Sequence, residues 1–339
     1  LARRAAAAGL PVTPWRVRNA ADAFALGRLL QEVRRRRPAA LHLHTSQAHG
    51  LGAVAARLAG RRRPRIVVTR RVEYSIFRHG FLGLDRWKYD PGADVVLCVS
   101  SRVRDVLRGD GIAEARLRLV PDGIDTARFT PQPDRRLEVR AVWGIPAKAW
   151  VVGNVSHCDS AKGQRHLIEA FARLAAGDPD AHLLVVGGGK ELPALEARAV
   201  ELGLGPRVTF TGFQRNVPSL LDAMDVFAFP SLAEGLGSAV LEAAASRTPI
   251  VATAVGGIPE AIRHEQEGHL VPPADPAALL AALRRMRANP HRAAALAEAA
   301  RRRAVEAYDV TRMVAGTVGA YASRSAATLA ERDRMPSPF

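Results

Sequence analysis

Short apolar runs alternate with amphipathic stretches along most of this chain. Apolar runs bounded by turn residues predict strands, and apolar side chains that recur three or four positions apart predict helices. In the first half, this pattern predicts strands at Ala40–Thr45, Ile66–Thr69, Val95–Val99 and Leu117–Pro121, and helices at Ala21–Arg35, Ala48–Ala59 and Ser101–Arg108. Such alternation is typical of a parallel sheet with helices on both faces.

A second alternation follows a break in the pattern. The segment 128–136 contains Pro131 and Pro133, which predict a connection between domains. The strands predicted beyond it are Trp150–Val155, His182–Val186, Val208–Thr211, Val226–Phe229, Ile250–Thr253 and His269–Val271, and the last predicted helices are Ala277–Ala288, Arg292–Glu306 and Thr311–Arg324. We therefore predict an α/β fold of two Rossmann-like, doubly wound domains that face a central cleft, with ligands outside the carboxyl ends of the strands.

The length of 339 residues also favours two domains. The predicted bounds are an N-terminal domain at 1–130, a linker at 131–149, a C-terminal domain at 150–309, a helix at 310–324 that crosses back, and a tail at 325–339. The chain opens at Leu1 inside a stretch with helical periodicity, so we expect an earlier segment of the first domain.

The composition narrows the class of protein further. Apolar residues make up 48% and charged residues 24%, which excludes collagen-like and wholly disordered chains. No apolar run reaches the roughly 18 residues of a membrane-spanning helix. Only Cys98 and Cys158 are present, which argues against a disulfide framework and favours a reducing compartment, with the cytoplasm as the expected location.

The positive charge is unevenly distributed. Residues 1–148 carry 29 Lys and Arg against 13 Asp and Glu, whereas the remainder carries 20 of each. Such a field favours an acidic membrane surface or another polyanion as neighbour of the first domain, unless the arginines form only a solvated surface. The runs Arg34–Arg37 and Arg61–Arg63 end two predicted helices and are candidates for contact with lipid headgroups. Aromatic residues are sparse around them, so nucleic acid is not an expected partner.

The most informative motif runs from Pro230 to Ala243, directly after a predicted strand. Its glycines let a ligand approach the backbone, and Ser238 is the predicted N-cap of a helix whose first amides can hold a phosphate. Glu234 in the loop and Glu242 in the helix would repel that phosphate, so we expect both to accept hydrogen bonds from sugar hydroxyls. The motif predicts a site for a phosphorylated sugar compound.

A second motif runs from Val152 to Gly163 and also joins a strand to a helix. Lys162 at the start of the helix can reach a diphosphate and neutralise charge on a leaving group. Lysine is scarce, with four lysines among 49 basic residues, so a solvated lysine is the less favoured interpretation. His157 on the same loop is a second candidate donor to that phosphate, or else a histidine bonded to backbone.

The first domain offers weaker candidates. His42 and His44 alternate along a strand and share one face, but no third ligand has matching spacing, so they are expected to line the core or the cleft rather than to bind metal. Arg71 follows the next strand and can bind anions or hydroxyls. In the second domain, Glu260 is expected to complement the dipole of its own helix.

Together with three further stretches, these motifs resemble a known family. The further stretches are Val120–Asp125 with Phe129, Thr211–Phe213, and Val255–Glu260 with Gly268–Pro272. From about Val95 to Tyr321 the chain resembles the retaining, nucleotide-sugar-dependent glycosyltransferases of family four, which have the two-lobed GT-B fold. The resemblance implies that Glu234 contacts the donor sugar, Glu242 the ribose and Lys162 the diphosphate.

The resemblance also implies that the donor is held by backbone amides. These belong to Gly235, Leu236 and Gly237, with Ser238 opening the helix behind them. Arg71 and His44 are then candidate contacts of the acceptor or the sugar, and the last helix is expected to cross back near Tyr308. No metal and no other cofactor is implied.

Several positions depart from the family pattern. His157 stands where an arginine is common, Leu236 where phenylalanine is common, and Arg247 where glycine is usual. Arg71 stands where many relatives have a histidine beside the donor sugar, which suggests a charged acceptor or a shifted role. The family's glycine-rich loop of the first lobe is absent from the sequence, which leaves the activity of this polypeptide as given open.

The resemblance implies a hexosyl transfer from a nucleoside diphosphate sugar to a hydroxyl of a lipid-linked or polysaccharide acceptor. Retention at the anomeric carbon, by front-face attack without a covalent protein intermediate, is implied with it. The expected setting is lipopolysaccharide or cell-envelope glycan biosynthesis at the inner membrane face. A sugar-nucleotide epimerase of the same fold and a non-catalytic polyanion-binding or membrane-surface-binding protein remain alternatives.

Overall fold

The computed structural model describes residues 2–19, 22–60, 63–79 and 84–322. Two fully parallel sheets divide the chain, which confirms the predicted α/β fold. The first sheet has the order β1-β2-β3-β4 and is formed by Ala40–Leu43, Arg65–Arg70, Val95–Cys98 and Leu117–Leu119. The second has the order β10-β9-β8-β5-β6-β7 and is formed, from β5 to β10, by Trp150–Val155, Ala181–Val186, Val208–Phe210, Val226–Phe229, Ile250–Thr253 and His269–Val271.

Helices cover the sheets and connect their strands. In the first half they are α1 Ala2–Ala7, α2 Ala23–Arg36, α3 Ser46–Leu58, α4 Leu84–Tyr89, α5 Ser101–Gly109 and α6 Arg136–Val142. In the second half they are α7 Gln164–Ala175, α8 Leu192–Glu201, α9 Val217–Asp222, α10 Ser238–Ala245, α11 Ile258–Ala261, α12 Pro276–Ala288, α13 Pro290–Tyr308 and α14 Val310–Ala322. No helix in the described ranges is long and apolar enough to cross a membrane.

Local chemistry explains where the helices near the first sheet begin. Thr45 follows β1 and accepts a hydrogen bond from the amide of Ala48, which caps α3. Ser100 follows β3 and accepts one from the amide of Val103, which caps α5. Because each cap satisfies an amide that the helix leaves unpaired, the chain turns sharply at the carboxyl end of each strand.

Part of the predicted linker at 131–149 forms a helix that the sequence analysis did not predict. Residues 136–142 form α6, which packs on the second domain. Arg140 of this helix is buried and donates to Asp225 at 2.8 Å and to the carbonyl of Ala223 at 3.0 Å. Part of the predicted linker is therefore bound to the second domain by a buried, fully hydrogen-bonded arginine.

The chain returns to the first domain after α13. The amide of Ile124 donates to the carbonyl of Tyr308, and the amide of Val310 donates back to the carbonyl of Ile124, at 2.9 and 2.8 Å. From there α14 crosses the first sheet, where Ala320 joins a small apolar cluster that includes Leu97. The last residues of the predicted helix, the predicted tail 325–339 and two of the three arginines of the run 61–63 lie outside the described residues.

The order of the second sheet fixes where a ligand can bind. The chain runs outwards from β5 through β6 to β7 and then returns to β8, which pairs with the other edge of β5. The connections after β5 and β8 therefore leave the sheet in opposite directions and open a crevice between them. Ligands of open parallel sheets bind at such a switch point, and both motifs singled out in the sequence follow these two strands.

Candidate active site

The loops after β5 and β8 are joined to each other by hydrogen bonds. The amide of Leu232 donates to the carbonyl of Ala161 at 2.8 Å, and the hydroxyl oxygen of Ser231 lies 3.1 Å from the same carbonyl oxygen. Gly163, at the start of α7, has a φ of 65°, and a Cβ atom there would lie 2.1 Å from the carbonyl oxygen of Pro230. Only glycine lets the two loops approach this closely.

The loop before α10 presents three amides for which the described part of the chain supplies no acceptor. Gly235, Leu236 and Gly237 are buried, and their backbone N–H groups donate no hydrogen bond within the described part of the chain. Buried amides are almost always paired in native structures. Three in succession at a helix N-terminus form a cradle for an anion.

Gly237, with a φ of 89°, is the N-cap of α10, and Ser238 is the first helical residue. The prediction that Ser238 is the N-cap is therefore wrong. The left-handed conformation places a glycine at the cap, and the exposed Ser238 follows it.

Lys162 and Glu234 form an ion pair across this crevice. The Glu234 side chain is 11% exposed and also accepts a hydrogen bond from Ser231 at 2.9 Å. The lysine ammonium has three donors, and Glu234 is the acceptor found for it among the described side chains. The pair can therefore offer a diphosphate the remaining ammonium donors and offer sugar hydroxyls the remaining lone pairs of the carboxylate.

The first domain closes this crevice with the loop after β2. Arg71 and Glu73 line the same cavity as Lys162 and Glu234, with a volume of about 200 Å³. A carboxylate oxygen of Glu73 accepts a hydrogen bond of 3.3 Å from the amide of Glu234. The carbonyl oxygen of Arg71 would lie 2.1 Å from a Cβ atom at Gly235, so the two domains meet at the cradle.

Arg71 is itself held by neighbours on two other strands. Its Nε donates to Asp122, after β4, at 3.1 Å, and its Nη1 donates to Nδ1 of His44, after β1, at 3.1 Å. The three side chains also line a second cavity of about 280 Å³ beneath α14. Arg71 therefore belongs to both cavities.

The two histidines on β1 and its following loop face this second cavity. Their ring centroids are 4.0 Å apart. His42 shares hydrogen bonds with Tyr321 at 2.7 Å and with Thr69 at 2.6 Å, and burial lowers its pKa to about 4. Burial and the nearby Arg71 guanidinium lower the pKa of His44 as well, so both rings are neutral at pH 7. Within the described ranges, no group of three or more His, Cys, Asp or Glu side chains is arranged to hold a metal ion.

Two predicted donor contacts, Glu242 and His157, are not among the residues that line the Lys162 cavity. Glu242 is partly buried in the second turn of α10, where burial raises its pKa to about 7 against the opposing charge of Arg128. His157 is exposed, and its ring makes no hydrogen bond within the described part of the chain. The structure therefore brings Lys162, Glu234, Gly235 and Arg71 together at one cavity, and the donor contacts of Glu242 and His157 stay predictions.

Glu260 lies in the first turn of α11, as predicted, and it also reaches a helix of the other domain. Its carboxylate accepts hydrogen bonds of 2.8 and 3.0 Å from the amides of Ser101 and Arg102, the first residues of α5 in the other domain. Gly257 permits this approach, because a Cβ atom there would lie 2.7 Å from Cβ of Ser100. Glu260 is therefore an interdomain cap.

The backbone conformation explains why glycine is usual at the position of Arg247. The φ of this residue is 57°, in the left-handed region that glycine occupies at little cost. Its guanidinium pairs with Glu298 at 2.7 Å on the surface.

Sequence reasoning missed Glu73 and Asp122 as site residues. Glu73 has no distinctive local pattern, and Asp122 lies in the stretch Val120–Asp125, which resembles the family but received no role. Each residue acquires a role only because strands far apart in the chain end at the same cleft. Their positions directly after β2 and β4 are the one signal that could have found them, since chemistry in parallel sheets collects at the carboxyl ends of strands.

Two Rossmann-like domains that meet at an anion cradle define the class of the GT-B glycosyltransferases. The family models agree with this architecture. Residues 2–128 match the model "Glycosyltransferase Family 4", and residues 135–303 match "Glycosyl transferases group 1". The first part of the chain is therefore similar to the former family and the second part to the latter.

Similar curated proteins differ in their donors and acceptors. The chain is 37% identical over 223 residues to a GDP-mannose-dependent alpha-(1-6)-phosphatidylinositol monomannoside mannosyltransferase of Mycolicibacterium smegmatis, which covers 63% of this chain and 58% of the relative. It is 32% identical over 211 residues to a 2-deoxystreptamine glucosyltransferase of Streptomyces kanamyceticus, covering 61% and 54%. The chain thus spans between half and three-fifths of the length of these relatives.

Solved structures share the fold. A structure of Anabaena Alr3699/HepE in complex with UDP and glucose superposes with a TM-score of 0.84 at 22% identity, covering 95% of this chain and 89% of the other. Sucrose-phosphate synthase from Thermosynechococcus elongatus gives a TM-score of 0.75 at 25% identity, covering 88% and 77%. Both similarities extend over the two domains.

Proposed function

We propose that this chain transfers a hexosyl group from a nucleoside diphosphate sugar to a hydroxyl group of an acceptor. The observation that carries the proposal is the set of three amides at Gly235, Leu236 and Gly237, which have no acceptor among the described residues and lie beside the ion pair of Lys162 and Glu234. An anion cradle next to a lysine suits a diphosphate, and a carboxylate beside them suits sugar hydroxyls.

In this proposal the protein works mainly by stabilising charge. The amides of the cradle and the Lys162 ammonium hold the diphosphate as negative charge builds on it when the bond to the sugar breaks. Glu234, which accepts hydrogen bonds from Lys162 and Ser231, would accept hydrogen bonds from the sugar hydroxyls in their place. These hydrogen bonds would fix the orientation of the anomeric carbon. Glu73 and Arg71 close the cavity from the first domain and exclude water, which would compete as acceptor.

Retention at the anomeric carbon is proposed from the resemblance to the family-four enzymes. The proposed acceptor is lipid-linked or part of a polysaccharide, in cell-envelope glycan biosynthesis at the cytoplasmic face of the membrane. The mycobacterial relative acts on a phosphatidylinositol monomannoside by its name, which supports a lipid-linked acceptor. The nucleotide base is left open, because the mycobacterial name specifies GDP whereas the Anabaena structure holds UDP.

A thermal-shift panel of UDP, GDP and ADP tests the donor half of the proposal. A nucleotide at 100 times its dissociation constant is expected to raise the free energy of unfolding by about 2.7 kcal/mol. Lys162→Met should reduce the shift, whereas Lys190→Met, which changes the exposed lysine after β6, should not. Absence of a shift with all three nucleotides would contradict the proposal.

The products formed from a donor sugar nucleotide then distinguish a transferase from an epimerase and from a polyanion-binding protein. With a donor sugar alone, an epimerase releases an isomeric sugar nucleotide, whereas a transferase releases nucleoside diphosphate only as fast as water or an acceptor attacks. A polyanion-binding protein would keep salt-sensitive binding to anionic surfaces in Glu234→Ala. The transferase should lose transfer in that variant while its fold is retained.

We also propose that the protein contacts an acidic membrane surface through α2. Phe24 on this helix is 76% exposed, and the Arg28 guanidinium lies 5.8 Å from the centre of its ring. Glu32 pairs with Arg35 and Arg36 in the last turn, so these two attract an acidic surface less than unpaired arginines would. Phe24→Asp should weaken sedimentation with phosphatidylglycerol vesicles, whereas Val200→Asp, at a 75% exposed site of the second domain, should not.

A further inference from the structure

The second cavity, beneath α14, has one polar end and one apolar wall. His44, Arg71 and Asp122 form the polar end, where the strands of the first sheet finish. Val314 and Val318 form much of the apolar wall, and they are 49% and 54% exposed. A volume of about 280 Å³ approaches the size of a small-molecule site, for which about 300 Å³ is the usual lower limit.

The polar end carries no net charge. The Arg71 guanidinium is balanced by the Asp122 carboxylate at 3.1 Å, and the two histidine rings are neutral. Nη2 of Arg71 makes no hydrogen bond within the described part of the chain, so it remains free to donate. A hydroxyl group can accept this hydrogen bond without disturbing the ion pair, whereas a phosphate would compete with Asp122 for the arginine.

The apolar wall is one face of a helix. Val314, Val318 and Tyr321 are spaced four and three positions apart and therefore share a side of α14. All three are among the exposed large hydrophobic residues of the protein, although they line a cavity. An apolar group that covers this surface would gain about 25 cal/mol of binding free energy for each Å² of apolar surface removed from water.

Arg71 joins the two cavities. It lines the crevice of Lys162 and Glu234 and also the polar end beneath α14. A hydroxyl bound to Arg71 therefore lies at the border of the crevice in which the donor sugar is proposed to bind. A group attached to that hydroxyl on its far side points along the apolar wall.

We propose that the cavity beneath α14 binds the acceptor, and that this acceptor has an uncharged, hydroxyl-bearing group at Arg71 and an apolar aglycone against Val314 and Val318. The term acceptor rests on the proposed function, whereas the amphipathic binding site does not. The proposal differs from the charged acceptor that Arg71 suggested in the sequence, because Asp122 compensates the arginine charge.

A chain-length series of alkyl glucosides tests the apolar wall. Methyl, butyl, hexyl and octyl glucoside, below their micelle concentrations, are titrated into the UDP- or GDP-saturated full chain by calorimetry. Each methylene that enters the cavity should tighten binding about fourfold, the equivalent of about 0.8 kcal/mol, until the cavity is full. A phenyl glucoside arm distinguishes an aromatic aglycone from an alkyl one.

Two variants test whether the dependence of affinity on chain length arises at the apolar wall. Val318→Asp should abolish the dependence on chain length, and Val200→Asp, at an exposed position of α8, should preserve it. Both sites are on the surface, so neither change should unfold the protein. An affinity that is flat with chain length, an unchanged dependence in Val318→Asp, or tighter binding of glucose 6-phosphate than of glucose would overturn the proposal.

Failure of this inference and failure of the proposed function give different results. If no nucleotide binds but the chain-length dependence appears, the amphipathic site stands and the transferase assignment falls. If nucleotides bind at Lys162 but alkyl chains add no affinity, the assignment stands and the site beneath α14 falls.

Discussion

The two faces of the cleft offer a ligand different parts of the chain. The second domain presents backbone, namely the amides of residues 235–237, which have no acceptor among the described residues, together with the ion pair of Lys162 and Glu234. The first domain presents side chains, namely Arg71 held between Asp122 and His44. Backbone recognition requires glycines at fixed spacing, whereas a side-chain network can change at any of its members. The comparison teaches why the face that is proposed to bind the donor carries a readable motif, whereas no one local motif assigns the network around Arg71.

The largest expected effect is the loss of sugar transfer when the ion pair of Lys162 and Glu234 is removed. Lys162→Met removes the charge that is proposed to stabilise the departing diphosphate, so transfer should fall by about 100-fold to 1000-fold. Glu234→Gln should lower transfer similarly but strengthen nucleoside diphosphate binding, because it releases the lysine from its partner. Steady-state rates and calorimetric affinities check both. Equal effects of the two variants on nucleotide affinity would contradict the proposed roles.

The next prediction tests whether the donor loops depend on close backbone approach. Gly163→Ala places a methyl group 2.1 Å from the Pro230 carbonyl, whereas Gly203→Ala, at a similar φ of 67°, meets no atom within 4 Å. Both variants incur the strain of a left-handed alanine, about 1–2 kcal/mol. Gly163→Ala should lower the free energy of unfolding by about 2 kcal/mol more than its control. Similar denaturation midpoints would show that the loops are free to separate.

A third prediction uses the raised pKa of Glu242, which burial brings to about 7 from an ordinary value of 4.5. Between these values the folded protein holds a proton that the unfolded chain has released. Stability should therefore fall as the pH rises from about 4.5 to 7, by on the order of 3 kcal/mol. Glu242→Gln should lack this part of the pH dependence in urea denaturation. A matching slope in both proteins would contradict the assignment.

The smallest effect concerns the contact between the two faces. Ser100 caps α5 from its own domain, and Glu260 caps it from the other. Ser100→Ala and Glu260→Gln should each lower stability by about 1 kcal/mol. Only Glu260→Gln should also open the cleft, measured as a larger radius of gyration in X-ray scattering. The same radius in all three proteins would show that Glu260 does not hold the domains together.

The sequence predicts most of the fold because strand cores are local patterns. The bounds predicted for β5, β8, β9 and β10 match the structure, since each is a buried apolar run that ends in turn residues. Strand β1 ends at Leu43 rather than at Thr45, because Thr45 is used as the cap of α3. The helix α6 was missed because two prolines precede it and its apolar face is short.

The site is predictable only in part, for a physical reason. Glycine spacing and a scarce lysine identify Gly235, Gly237 and Lys162 from local sequence. The pairing of Lys162 with Glu234 joins residues 72 positions apart, and the contact of Glu73 with the amide of Glu234 joins residues 161 apart. Such contacts depend on which loops the two sheets bring together. Local periodicity contains no information about them.

The most direct test of the account is an amide chemical-shift titration of the ¹⁵N-labelled protein with UDP and GDP. The account predicts that the amide signals of Gly235, Leu236 and Gly237 move downfield and saturate together with the nucleotide, as expected when each N–H gains a phosphate acceptor. These shifts should be lost with the corresponding nucleoside, which has no diphosphate. Unmoved signals at all three amides, while either nucleotide binds elsewhere on the chain, would contradict the central claim.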